Sequence, residues 1–508
     1  MGFHKIKKFL LFKNSGLKTF FLRCIKFAKK NKYEITFGLI FLLGIFLRFF
    51  RLNILPPGAY LDEINIINDS IPNLKVGSDI FYKLIIILAS KISGDNVLVL
   101  LRFISAFFGS LLILFVYLLS KEWFNIRVAL IASFFTAVSF WPLMISRSVV
   151  HSNIIPLVLI ALLYFASIAF REKKKIYFII TGIVLAVGLY SSIVFWLLPV
   201  LLYPTLYFVS SKKPKVLSKY KKEIFLTEII SLLAMVPIII YIIWNPSSLS
   251  FIFPGVTDVL KNGFKSLLAF NFESPQMWNV NIGEEPLLDP LVGIAFVAGI
   301  LIAIRYHKKI KQQILLISFV CFMMPAIFST NYLYGLKMAG VIPIVFIFAA
   351  IATDWALSKW LGLFPFNKNA RRLGWTLFFI LFFLSASYNI AKYYLVWAGA
   401  PETYLIYNED LVAESKYLNN LGSGVNGYYT AGARSNILDT LSRRKAKKIS
   451  LEEIGDLSLK GKNVFVIPAS DNIYLNKVQE KFPEGELMWY VSPYSKKILF
   501  NIYSINKG

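Results

Sequence analysis

The stretch FLRFFRLNILPPGAYLDEINIIND, residues 46–69, marks the point where the chain leaves an apolar run and becomes acidic. The run begins near residue 34, and its length is close to the ~20 residues that a helix needs to cross a bilayer. A Pro-Pro-Gly turn at 56–58 follows, and then the adjacent carboxylates Asp62 and Glu63. Because no small-residue cleavage site follows the run, we interpret it as a retained membrane helix and not as a signal peptide.

The same apolar pattern recurs along most of the chain. Of its 508 residues, 57% are hydrophobic and only 16% are charged, whereas a soluble domain of this size exposes far more charge. We therefore predict a polytopic α-helical membrane protein of about eleven transmembrane helices. They are expected at about 34–50, 98–120, 128–145, 154–170, 176–190, 192–209, 224–243, 289–304, 313–329, 336–357 and 374–397.

The loops between these runs differ in charge. The net charge is +27, and the basic residues lie in short blocks at 1–33, 121–127, 171–175, 212–222, 305–311 and 359–372. The two long loops of the opposite set hold most of the acids. Since cytoplasmic loops are enriched in Lys and Arg, we expect the N-terminus inside and the C-terminus outside the plasma or inner membrane. Basic residues distributed in this way also argue against a nucleic-acid partner.

The apolar segment 81–92 is an exception, because as a helix it would span only about 18 Å. We predict that it lies in the outer interface of the bilayer. The predicted organisation is then a basic cytoplasmic arm at 1–33, a transmembrane domain at 34–398 and an extracytoplasmic domain at 399–508. The transmembrane domain carries the outer loops 51–97 and 244–288.

The last segment, 399–508, has ordinary charge and alternates short β-like runs with helical stretches. The β-like runs are GYYTA, KNVFVIPA, LMWYVS and ILFNIYSI, and the helical stretches are EDLVAESKYLNNL and NIYLNKVQEKF. This alternation predicts a small α/β domain.

The paired carboxylates Asp62 and Glu63 are the clearest candidates for chemistry. At a lipid–water boundary, partial desolvation raises the pKa of a carboxylate toward the working range of a general base. The alternative is structural, since Asp62 could cap a helix that starts at Glu63.

The stretch 46–69 resembles the start of the dolichyl-phosphate-mannose-protein mannosyltransferase-like proteins. These belong to the membrane glycosyltransferases of the GT-C fold, which include the aminoarabinose transferases of lipid A. The resemblance continues through 79–124 with a juxtamembrane helix and then a helix that opens with Arg102. It extends to 129–160, which contains the pair Ser146-Arg147, and more loosely to EEPLLDPLVGIAFVAGIL at 284–301.

The resemblance implies an enzyme that takes a sugar from a polyisoprenyl phosphate and transfers it to a glycan, lipid or protein acceptor at the outer face. The catalytic base would be Asp62, with Glu63 as its neighbour or substitute. Cations near the outer boundary would hold the donor phosphate, and the candidates are Lys337, Arg147, Lys83 and Arg102. Lys337 stands where related proteins often carry Arg.

The second long outer loop would contribute Trp278 and Asn279 to the substrate site, although the His that relatives often have near this position is missing. No His/Cys metal cluster and no phosphate-cradling glycine loop occurs in the sequence, so we expect neither a metal nor another cofactor.

Three other functions remain open from the sequence. A transporter or flippase would place ionisable groups near the membrane midplane, and here the apolar runs are almost free of them. An oligosaccharide ligase or polymerase would share the fold and the face with a monosaccharide transferase. A non-catalytic assembly or sensor protein would use its C-terminal domain to hold a partner and would not need Asp62.

Overall fold

The computed structural model describes residues 30–61, 63–64, 80–93, 97–196, 220–244, 246, 255–274, 278–329, 334–422, 424–430, 438, 446–493 and 495–507. Helices dominate this part of the chain up to residue 397. They are α1 Lys32–Phe49, α2 Ile80–Ser93, α3 Val97–Trp123, α4 Ile126–Val138, α5 Phe140–Ser146, α6 Ile154–Glu172, α7 Lys175–Leu189, α8 Lys221–Trp244, α9 Val256–Asn271, α10 Pro290–Arg305, α11 Ile310–Ile327, α12 Tyr334–Lys337, α13 Ile342–Leu363 and α14 Lys368–Ala391. A π-helix, Lys392–Trp397, continues α14.

Among the described residues, six helices are long and apolar enough to cross a membrane, or seven if the bent pair α4–α5 forms one span. The chain is therefore a multi-pass membrane protein. Helices α7 and α10 coincide with predicted spans but are shorter than the six helices above. Of the span predicted at 192–209, only a 3-10 turn at Ile193–Trp196 is described, and the rest lies outside the described residues.

The span predicted at 128–145 is broken, because α4 and α5 meet at Ser139 with a bend of 60°. Pro142, which has no amide hydrogen, lies in the first turn of α5. The backbone groups freed by the break find partners on other helices. The Arg48 guanidinium of α1 donates to the carbonyls of Thr136 and Ala137, and the Phe140 amide donates to Asn389 Oδ1 of α14. A break inside a membrane needs such partners, since the hydrocarbon supplies none.

Helix α13 forms the centre of the helical domain. Its residues from Ile342 to Ala352 are buried almost without interruption. A Cβ at Gly299 of α10 would lie 2.0 Å from the Phe348 carbonyl oxygen. Close backbone approach at small residues is how membrane helices gain packing energy without a hydrophobic driving force. Helices α10 and α13 are therefore in close backbone contact at this point.

After the π-helix, the chain forms α15 Pro401–Ile406 and α16 Glu409–Asn419 and then a five-stranded sheet in the order β2-β1-β3-β5-β4. The other elements are β1 Val425–Thr430, β2 Ala446–Ile449, α17 Glu453–Asp456, β3 Gly461–Pro468, α18 Asn472–Lys481, β4 Glu486–Val491 and β5 Ile498–Lys507. Strand β1 is parallel to β2 and β3, whereas β5 is antiparallel to both β3 and β4. The predicted small α/β domain is confirmed as a fold.

One face of this sheet packs on the first outer loop. Ala59 and Ile64 of the loop share a hydrophobic cluster with Leu411 and Leu418 of α16 and with Phe500 of β5. All five side chains are almost fully buried. The predicted boundary at 398/399 therefore divides the sequence, but the hydrophobic core crosses it.

Candidate outer-face site

The Pro-Pro-Gly turn of the first outer loop is fixed by Arg102 of α3. Its guanidinium donates to the carbonyls of Pro56 and Gly58 at 2.9 and 2.6 Å. It also pairs with Glu63 Oε2 at 2.8 Å, and both side chains are almost completely buried. From the sequence, Arg102 opens its helix and is a candidate ligand of the donor phosphate, a role that stays a prediction. The fold brings it to a loop about forty residues earlier in the chain.

Glu63 uses both of its carboxylate oxygens within the protein. Besides Arg102, Oε2 accepts from the Tyr60 amide at 3.1 Å, and Oε1 accepts from the Val149 amide at 2.8 Å. A buried ionised carboxylate needs this kind of compensation. The geometry therefore favours a structural role for Glu63 and does not support its predicted role as a substitute base. Asp62 lies outside the described residues, between Leu61, which is exposed, and the anchored Glu63.

Arg147, at the end of α5, is completely buried and surrounded by acceptors. It donates to the carbonyls of Leu47, Arg48, Phe50 and Leu55 and to the hydroxyls of Tyr393 and Tyr394. A guanidinium has five N–H groups, so these contacts use all of them. A cation is also well placed at the C-terminal carbonyls of α1. The predicted phosphate contact of Arg147 is not supported, because no donor remains to make it.

The segment after the π-helix lies directly over the first outer loop. A Cβ at Gly58 would lie 2.0 Å from the Tyr407 carbonyl oxygen and 2.9 Å from the Glu409 nitrogen. Asn408, which has a left-handed backbone (φ 47°), donates from Nδ2 to the Ala59 carbonyl at 3.0 Å. Only a residue without a Cβ fits at position 58 in this arrangement.

Tyr407 connects three outer segments. Its hydroxyl lies 3.3 Å from Ser148 Oγ and donates to the Asn279 carbonyl at 3.3 Å. Its ring lies 6.0 Å from the Arg102 guanidinium, and burial raises the pKa of its hydroxyl well above the ordinary value. This role could not be predicted from the sequence, since Tyr407 is one tyrosine among 26.

The second outer loop is tied to α14 and the π-helix by polar contacts. Asp289 caps α10 through the Val292 amide and also accepts from Ser385 and Asn389. Lys392 of the π-helix pairs with Glu285 at 2.8 Å. These contacts fix the point where the loop re-enters the helical domain.

Of the predicted loop residues, both Trp278 and Asn279 lie next to the C-terminal segment. The Trp278 carbonyl accepts from Trp397 Nε1 at 2.8 Å. The Asn279 side chain is buried, and its Oδ1 has no hydrogen-bond partner among the described residues. Their backbone contacts position the loop, and a substrate role for their side chains stays a prediction.

Lys337 faces a cavity of about 370 Å³ between the outer ends of several helices. The cavity is lined by His151, Ser152, Ile155, Ser191, Ser192, Ile193, Val194, Phe322, Pro325, Lys337 and Gly340. Lys337 Nζ contacts Ser329 Oγ, and burial lowers the pKa of its ammonium. A half-buried ammonium with donors to spare, beside hydroxyls and an imidazole, is suited to an anion. The apolar residues of the lining, such as Phe322 and Pro325, are suited to contact a hydrocarbon chain.

The segment Arg147–Asn153 joins this cavity to the first outer loop. Val149 donates to Glu63, which is the covalent neighbour of Asp62, while His151 and Ser152 line the cavity. Only a few residues separate Val149 from the cavity residues His151 and Ser152. Because consecutive Cα atoms are 3.8 Å apart, the first outer loop and the cavity lie close together along this path. Lys83 of α2 is also buried, and its predicted contact with a phosphate stays a prediction.

In the part of the chain that the structure describes, no three His, Cys, Asp or Glu side chains come together in a way that could hold a metal ion. Of the paired carboxylates, Asp62 lies outside that part. Glu63 is occupied by Arg102.

The comparisons with known proteins agree with this architecture. Residues 79–244 match the family model described as dolichyl-phosphate-mannose-protein mannosyltransferase. The chain has the GT-C fold of membrane glycosyltransferases. A search of curated sequences finds no match.

Two solved structures illustrate the shared fold. The oligosaccharyltransferase AglB from Archaeoglobus fulgidus, in complex with an inhibitory peptide and a dolichol-phosphate, is 15% identical with a TM-score of 0.51. The alignment covers 93% of this chain and 74% of AglB. ArnT from Cupriavidus metallidurans in the apo state is 13% identical with a TM-score of 0.51, over 94% of this chain and 98% of ArnT. At these sequence identities the comparison shows the fold alone.

Proposed function

We propose that this protein is a glycosyltransferase that moves a sugar from a polyisoprenyl-phosphate donor to an acceptor at the outer face of the membrane. The observation that carries the proposal is the short path from the Asp62 loop to the Lys337 cavity, through Glu63 and the segment 147–153. A catalytic base and an anion site must lie within the reach of one substrate if that substrate contacts both.

In this proposal the donor phosphate binds beside Lys337 and its lipid chain lies against Phe322 and Pro325. Asp62 takes the proton of the acceptor nucleophile, which attacks the anomeric carbon. The bond from that carbon to the phosphate oxygen breaks, and the electron pair stays on the phosphate. A single displacement of this kind inverts the anomeric centre, and no step in it requires a metal.

The topology belongs to the same proposal. The acidic loops and the C-terminal domain lie outside, the basic arm lies inside, and about eleven helices cross the plasma or inner membrane. The choice between a hexose and a pentose is decided by which donor the enzyme consumes. AglB, an oligosaccharyltransferase with the same fold, supports an oligosaccharide ligase as the second candidate function.

The test is consumption of donor by the purified full-length protein in detergent. Polyprenyl-phosphate hexoses, a polyprenyl-phosphate aminoarabinose and a diphosphate-linked oligosaccharide are supplied with membrane extract as the acceptor source. We expect one monophosphate donor to be consumed by the wild type and Asp62→Asn to lower the rate by at least about 100-fold. Asp69→Asn, in the same loop, is the matched control and should retain activity.

Equal rates for Asp62→Asn and wild type would remove Asp62 from the mechanism. Consumption of the diphosphate oligosaccharide alone would identify the ligase. If folded wild-type protein consumes no donor while it moves a labelled lipid across vesicles, the transporter function replaces the transferase.

A further inference from the structure

The hydroxyls around the Lys337 cavity are not equivalent. Ser191 Oγ donates to the Val187 carbonyl at 2.6 Å, so its hydrogen is already used. Ser192 Oγ instead accepts from the Val194 amide at 3.4 Å, and within the described part of the chain its hydrogen is not committed to a carbonyl as that of Ser191 is. Two adjacent serines therefore line the same cavity and differ in how their hydroxyls are bound.

His151 is the other group in this cavity that can carry a positive charge. It opens a 3-10 turn whose last residue, Asn153, donates to the Ser105 carbonyl at 2.9 Å. Two residues before His151, the Val149 amide is bound by Glu63. The imidazole packs edge-on against the Tyr82 ring at 5.4 Å between centroids. The position of His151 is thus fixed by the hydrogen bonds of its sequence neighbours Val149 and Asn153 and by the ring contact with Tyr82.

The charge of the phosphate changes during the proposed reaction. In the donor the phosphate is a diester with one negative charge, and in the released lipid it is a monoester that carries about −1.5 to −2 at neutral pH. A site with Lys337 alone matches the first form. A site with Lys337 and a protonated imidazole matches the second, because it offers one more cationic donor where the charge develops.

We propose that Lys337, His151 and Ser192 form a site that selects a lipid phosphate monoester over a phosphodiester. The proposal rests on the proposed function and deepens it. It makes His151 a residue that stabilises the leaving phosphate, and it predicts that the released lipid phosphate binds more tightly than the donor. Ser192 donates to either form, since its contribution is a neutral hydrogen bond.

The test is equilibrium binding of undecaprenyl phosphate and of its methyl ester, a phosphodiester, to the full-length protein in detergent. We expect the wild type to prefer the monoester by about tenfold, the size of one charge-assisted hydrogen bond. His151→Gln should reduce this preference to about twofold or less, and His151→Lys, which restores a cation, should keep it. Ser192→Ala should weaken binding of both esters about fivefold, whereas Ser191→Ala should change it less than twofold.

The proposal is overturned if His151→Gln keeps the wild-type preference, or if Ser191→Ala weakens binding as much as Ser192→Ala. Melting temperatures of all variants separate lost binding from lost folding, and the lysine variant gives a second reading should the glutamine variant be unstable. The binding test needs no turnover. Failure of donor consumption with an intact monoester preference would therefore reject the transferase alone, and the reverse result would reject only this selectivity.

Discussion

On one side of the outer face, the guanidinium groups of Arg102 and Arg147 are enclosed by oxygens of the protein; on the other, the ammonium of Lys337 faces an open cavity. All three cations lie near ends of helices. They differ in what surrounds them, because Arg147 has an internal acceptor for every N–H, while the contact of Lys337 with Ser329 leaves donors to spare. Burial by itself therefore does not mark a ligand site.

The difference also separates two tasks within the proposed enzyme. The arginine side binds the described part of the first outer loop, through the carbonyls of Pro56 and Gly58 and the carboxylate of Glu63. The lysine side leaves room for a ligand. Variants on the first side should therefore act on stability, and variants on the second side on binding.

The largest effect on stability is expected for Arg147→Lys. Lysine keeps the charge but offers three donors from one atom, so several carbonyls at the end of α1 lose their partner. With unsatisfied buried groups costing about 1–3 kcal/mol each, we expect a loss of about 4 kcal/mol, measured as the unfolding midpoint in mixed detergent micelles.

Arg127→Lys is the control for this substitution, since Arg127 pairs with Asp354 at 3.0 Å but is 38% exposed. It should cost less than about 1 kcal/mol. A similar small cost for Arg147→Lys, combined with weaker binding of undecaprenyl phosphate, would return Arg147 to the phosphate site and erase the difference between the two sides.

A somewhat smaller loss is expected for Glu63→Gln. The substitution leaves the charge of Arg102 buried and uncompensated, which typically costs about 3–5 kcal/mol when one partner of a buried pair is removed. We place the cost near 3 kcal/mol, because the amide oxygen can still accept from the Val149 or Tyr60 amide. Unfolding midpoints of Glu63→Gln and Asp62→Asn, measured side by side, give the comparison.

Asp62→Asn should leave the midpoint unchanged and abolish turnover, whereas Glu63→Gln should lower the midpoint first. A stable Glu63→Gln variant without activity would instead place the base at Glu63, and the buried pair would then have to open during the reaction.

Much of the fold follows from local sequence patterns. The apolar runs located the helices, and the four predicted β-like runs correspond to β1, β3, β4 and β5. Strand β2 was missed, since it is four residues long and two of them are the exposed Lys447 and Lys448. The break at Ser139 was also missed, although Pro142 stood within the predicted span.

The site was less predictable, because its contacts join distant parts of the chain. Which oxygens surround Arg102 and Arg147 depends on how helices pack. Arg147 Nη2 bonds the Leu55 carbonyl, 92 residues earlier. No sequence signal places His151 in the same cavity as Lys337.

The sharpest test of how the C-terminal domain acts on the site is Gly58→Ala. The added methyl group would meet the backbone of Tyr407, Asn408 and Glu409, so the domain or the loop must shift. Overpacking of this kind costs about 1–3 kcal/mol. Because Ala59 and Ile64 flank the proposed base and pack on the same domain, the rate of donor consumption should also fall, by about tenfold.

Gly399→Ala is the control, since no atom lies within 4 Å of its added Cβ. If Gly58→Ala binds undecaprenyl phosphate normally but turns over slowly, the domain positions the first outer loop and leaves the Lys337 cavity untouched. Equal losses of binding and turnover would mean that the two sides of the outer face move together.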